Sequence, residues 1–128
     1  MPGMLIIAHA PLASALKAVA EHTFPDCAGV LAALDVTRDM SIDDVETRAR
    51  ELLERVRTPE ALIFTDVFGA TPCNIAQRLP NLGVRMHCVS GLNLPMLLRV
   101  LNYPEQSLDE LAQTAASGGR GGIVVDTP

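Results

Sequence analysis

Short, wholly apolar runs recur along this chain, and each is followed by a stretch whose apolar residues fall at helical spacing. Met4-Leu5-Ile6-Ile7-Ala8 precedes Leu12, Leu16, Val19 and Ala20, and the run from Gly29 to Val36 precedes Ile42, Val45, Ala49, Leu52, Leu53 and Val56. Ala61-Leu62-Ile63-Phe64 leads into a helix opened by Pro72, and Val84 to Val89 leads into one opened by Pro95. Strands with no polar alternation are buried on both faces, so the repetition demands a parallel sheet between two layers of helices. Right-handed crossovers then make strands one to four parallel.

Capping residues place the helix ends. Ser41 with Asp44 forms a weak capping box and Ser107 with Glu110 a better one, for a helix over 108–116 that Gly118-Gly119 stop. Thr71 reads as an N-cap before Pro72, since proline's missing N–H is not needed in a first turn; Asn93 can do the same before Pro95. Gly122-Ile123-Val124-Val125 reads as a short final strand that pairs antiparallel in its own sheet or a partner's. The 128 residues suffice for one domain spanning 1–128 and are too few for two.

Composition narrows the function classes. A formal charge of −5 with arginines scattered singly gives no basic patch, which argues against nucleic acid. No apolar stretch is long enough to insert into a membrane, and the start lacks the pattern of a secretory signal. Cys27, Cys73 and Cys88 are odd in number and contain no CxxC pair, so reduced thiols in a cytoplasmic protein are expected, without structural zinc. His22 and His87 form no compact ligand pattern with His9, and no metal is assigned.

In an open α/β sheet, ligands are handled beyond the carboxyl ends of the strands. His9 stands at the end of strand one, Asp66 at the end of strand three, and Ser90-Gly91-Leu92-Asn93 follows strand four. If strands one and three are neighbours, His9 and Asp66 face one crevice. A carboxylate can hold one ring N–H of an imidazole and leave the other nitrogen outward as a nucleophile. The Gly69-Ala70-Thr71 turn at a helix start offers main-chain N–H groups suited to phosphate oxygens, with the Thr71 hydroxyl as cap or as a further donor. Together these parts describe a phosphohistidine site. Taken singly, His9 is as well explained by a turn and Asp66 by loop hydrogen bonds; Cys73, in the first turn, is explained by packing.

Over almost all 128 residues, through the stretches MLIIAHAPLASAL, ALIFTDVFGATPCN and VSGLNLPMLLRVL and the terminal glycine-rich turn with its short strand, the chain resembles the IIA domain of the mannose-family phosphoenolpyruvate-dependent sugar phosphotransferase system. The resemblance implies a flavodoxin-like sheet of order 2-1-3-4 and a homodimer that exchanges a C-terminal strand, here Ile123-Val124-Val125. It also implies that His9 accepts phosphate from the carrier HPr and passes it to an EIIB component, with Asp66 orienting it and no cofactor. The family loop D-x-x-G-G-S-P-x-N is present as Asp66 to Asn74, with Ala70 for a common glycine and Thr71 for the usual serine. Phe68 stands where some members have tryptophan; it, Leu92 and Leu94 read equally as partner anchors or as ordinary packing, and Arg38 and Arg99 as solvated charges or as contacts for an acidic partner. Since the chain stops at Pro128, a separate EIIB is expected; the alternative is a non-transport regulatory binding module whose His9 phosphorylation state controls a partner protein. The related dihydroxyacetone kinase subunit fits the FGATPCN and GLNLPML segments less well. A nucleotide- or flavin-binding protein is disfavoured by the lack of a P-loop or GxGxxG fingerprint.

Overall fold

The computed structural model describes residues 1–56, 59–67, 69–79 and 85–127. Four parallel strands, β1 (Gly3–His9), β2 (Leu31–Val36), β3 (Ala61–Thr65) and β4 (Met86–Val89), lie in the order β2-β1-β3-β4. The central strand β1 sets Met4 opposite Leu31 and Leu62, and Ile7 opposite Leu34 and Thr65. The carboxyl ends of β1 and β3 are thereby adjacent, which is the neighbourhood the site requires.

Successive residues of a strand point to opposite faces, and here both faces are covered. Met4, Ile6, Ala8, Leu62 and Phe64 pack with α1 (Leu12–Thr23), α4 (Leu94–Leu101) and α5 (Leu108–Gly121). Leu5, Ile7 and Ile63 pack on the other side with α2 (Ile42–Val56) and α3 (Thr71–Arg78). These eight sheet residues are at most 1% exposed, and each large one contributes about 1.5–3 kcal/mol by leaving water. Polar termini frame the layers. Asp44 N–H donates to Ser41 Oγ at 3.0 Å, Ser107 and Glu110 complete a reciprocal capping box, and Asn93 Oδ1 accepts from Met96 N–H at 2.9 Å.

Three expectations need correction. Gly118 and Gly119 do not stop α5, which continues to Gly121. A Cβ on Gly118 would lie 2.7 Å from Arg99 Cβ, and one on Gly119 would lie 2.8 Å from Met96 Cε, so these glycines let α5 press on α4. Because the helix runs on, residues 123–127 pair with no strand of this chain's own sheet, the first of the two arrangements expected for them; Ile123, Val124 and Val125 are 72%, 80% and 83% exposed. β2 begins at Leu31, later than Gly29, because Pro25–Gly29 wind into a 3-10 turn. The proposed start of strand four at Val84 lies outside the described residues.

Candidate functional site

His9 ends β1 with its side chain 55% exposed, while Asp66, just past β3, is only 9% exposed. Asp66 Oδ2 accepts the His9 main-chain N–H at 3.0 Å and lies 2.8 Å from His9 Nδ1. Its other oxygen accepts Val67 N–H at 2.9 Å. Burial opposes ionisation of Asp66, but the hydrogen bonds from His9 main chain and ring and from Val67, with the nearby imidazole charge, outweigh it and hold the carboxyl below its usual range. An ionised carboxylate only accepts, so Nδ1 carries a proton, and in the neutral ring the lone pair then belongs to Nε2.

The turn between Asp66 and α3 begins the helix one residue earlier than expected. Gly69 adopts φ +85°, in the left-handed region that glycine enters freely, and Ala70 is extended at φ −83°, ψ 173°. Ala70 is therefore the N-cap, its carbonyl accepting Asn74 N–H at 3.0 Å, and Thr71 is already helical. Ala70 N–H donates to Val67 C=O at 3.3 Å, closing the turn. Thr71 is exposed and released from capping, so its hydroxyl and N–H point to no partner among the described residues. A helix start of this kind attracts anions.

Sequence reasoning did not find the groups that brace this end of the sheet. Thr65, fully buried, places its hydroxyl 2.8 Å from Ser90 Oγ, and Ser90 Oγ lies 3.6 Å from Cys73 Sγ. Leu92 N–H donates to Thr65 C=O at 3.0 Å, so the loop after β4 hangs on the residue preceding Asp66. A threonine closing the otherwise apolar ALIFT strand was the available signal. Cys73 is 1% exposed and packs in the first turn.

The partner anchors fare differently. Leu92 is 8% exposed and belongs to the core, Leu94 is half-buried against it, and Phe68 lies outside the described residues. Leu92 is thus corrected to a packing residue, since its backbone bond to Thr65 draws it inward. Arg38 and Arg99 are exposed. His87 pairs with Asp109 at 2.5 Å in a network with Arg85 and Glu60, at the opposite end of the sheet from His9, and His22 lies in the last turn of α1. Among the described residues no cluster of His, Cys, Asp and Glu could hold a metal, and no helix is long and apolar enough to cross a membrane.

The profile of the EIIA-man family, described as PTS system fructose IIA component, matches residues 3–116. The chain belongs to this family. As an EIIA-type domain it is a phosphoryl-transfer module, of the kind that relays phosphate between HPr and EIIB during sugar uptake. It is 28% identical over 109 residues to the sorbose-specific EIIA component of Lacticaseibacillus casei, an alignment covering 84% of this chain and 78% of that protein. The mannose/sorbose-specific IIA subunit of Enterococcus faecalis superposes with a TM-score of 0.84 at 25% identity, covering 99% of this EIIA-type chain and 96% of the other. An EIIA structure from Streptococcus agalactiae, 23% identical and covering 98% and 97% of the two chains, shares the fold with a TM-score of 0.84.

Proposed function

We propose that His9 is the phosphoryl acceptor of this domain, in a relay whose donor is an HPr-like phosphocarrier and whose recipient is an EIIB component or a regulatory target. The observation that carries the reading is the 2.8 Å contact between His9 Nδ1 and Asp66, which leaves Nε2 to react. Nε2 attacks the phosphorus of the donor's phosphohistidine in line with its P–N bond; a new P–N bond forms as the donor imidazole leaves. Phosphorylated His9 retains the Nδ1 proton, and its cationic ring is stabilised by the Asp66 carboxylate. In the second half of the relay His9 is the leaving group.

Gly69, Ala70 and Thr71 form the phosphate cradle in this reading. Gly69 shapes the turn, Ala70 caps α3, and Thr71 supplies the N–H and hydroxyl donors. No cofactor enters the chemistry. The exposed Ile123-Val124-Val125 segment and the outer edge of β4 offer what an exchanged strand in a homodimer needs: apolar β-formers on one copy and, among the described residues, an edge without a strand partner on the other.

Incubation with labelled phosphoenolpyruvate, its upstream kinase and an HPr-type carrier tests the proposal. Acid-labile, alkali-stable label on the wild type, lost in His9→Ala, is the expected result. Absence of label with donors that phosphorylate another EIIA would overturn it.

A further inference from the structure

We infer that Asp35, a residue of β2, is a positioning residue for the acceptor histidine, an inference that rests on the reading of His9 as that acceptor. The helix after His9 starts without a local cap: its N-cap is Pro11, which offers no side-chain acceptor, and its first turn holds no acidic residue. Asp35 fills the gap from the neighbouring strand. Its Oδ1 accepts Ser14 N–H at 3.0 Å and its Oδ2 accepts the Ser14 hydroxyl at 2.5 Å, that hydroxyl also lying 3.2 Å from Pro11 C=O.

The register places Asp35 beside Ala8, one residue before His9. The link from His9 to Ser14 is consequently held from both flanking strands. Asp66 beyond β3 grips His9, Val36 C=O on β2 accepts Ala10 N–H at 3.0 Å, and Asp35 grips the first turn of α1. A cap contributed by residue 11 itself would stabilise the helix without tying it to the sheet; a carboxylate reaching from β2 does both. It also fills the anion-attracting start of α1 with a carboxylate, whereas the start of α3 has no side-chain cap.

The test compares Asp35→Ala, Asp35→Asn and Ser14→Ala with the wild type by ring-nitrogen NMR of His9 and by phosphorylation kinetics with a phospho-carrier. In Asp35→Ala the rate at saturating donor should fall about 10-fold with KM little changed, and the His9 ring signals should move toward a mixed tautomer. Asp35→Asn keeps an acceptor for Ser14 N–H and should restore most of both. Wild-type His9 signals and a wild-type rate in Asp35→Ala would overturn the inference, whatever its melting temperature. Should that variant fail to fold, Ser14→Ala carries the comparison: a smaller shift in the same direction supports the inference, and unmoved His9 signals refute it. Failure of the wild type to accept phosphate would instead remove the transfer reading, and the ring-nitrogen comparison would still decide whether Asp35 positions His9.

Discussion

One oxygen of Asp66, Oδ2, holds both the main-chain N–H of His9 at 3.0 Å and its ring Nδ1 at 2.8 Å. The direction of the ring and the end of the strand are set by the same atom. Asp66→Ala should slow phosphorylation by about 10–100-fold and cost about 1–3 kcal/mol of stability, because the His9 N–H loses its acceptor. Rapid-quench transfer assays and urea unfolding check the two effects; an unchanged transfer rate would remove Asp66 from its role.

Asp66 also sets a pH dependence. Its folded-state pKa lies below the ordinary 3.8, so the unfolded chain takes up the proton first as pH drops. The stabilisation is complete above the unfolded value and is lost as pH falls through the lower, folded one. Urea titrations of wild type and Asp66→Asn should show a stability gap at about pH 5 that narrows below about pH 4. Other carboxylates titrate in both proteins and cancel in the difference.

Glycine in a helix ordinarily costs about 1 kcal/mol relative to alanine, so a Gly→Ala change in α5 would be stabilising if space allowed. At Gly118 it does not, because Arg99 Cβ, 2.7 Å from the added methyl, cannot swing away as a side-chain tip could. Gly118→Ala should destabilise by about 1–3 kcal/mol. Gly121→Ala, with nothing within 4 Å, should be neutral or better. Equal midpoints for the two in urea would refute the close packing.

Asn93 performs two tasks with one amide. Its Oδ1 caps α4 through Met96 N–H, and its Nδ2 donates to Gly119 C=O at 3.1 Å. Asn93→Asp keeps the cap and loses the second bond, while Asn93→Ala loses both. The alanine variant should lose about 1–2 kcal/mol, with the aspartate between it and wild type; thermal melts distinguish the order.

Deletion of residues 123–127, or Val124→Asp, should convert a homodimer to monomer, as read by light scattering on a sizing column. A wild type that is monomeric at about micromolar concentration, or a dimer that survives the deletion, would end the exchange proposal.

The strands and the His9–Asp66 meeting were legible because all-apolar runs and βα alternation leave few topologies. Glycine was the ambiguous letter. Gly118-Gly119 carry the signal of a helix stop, and only the nearness of Arg99 and Met96 reveals a packing role. Thr71 was misread by one position because Gly69's positive φ hands the cap to Ala70, whose side chain carries no capping signal. Asp35 and Ser14 are 21 residues apart, and nothing in either neighbourhood announces that a strand will cap a helix.

A Cβ on Gly122 would fall 2.3 Å from Pro95 Cβ, so the C-terminal tail is rooted directly on the first turn of α4. That turn follows the loop whose Leu92 hangs from Thr65, the residue before Asp66. A mechanical load on residues 123–127 would therefore enter the fold within one short chain of contacts from the carboxylate bonded to His9.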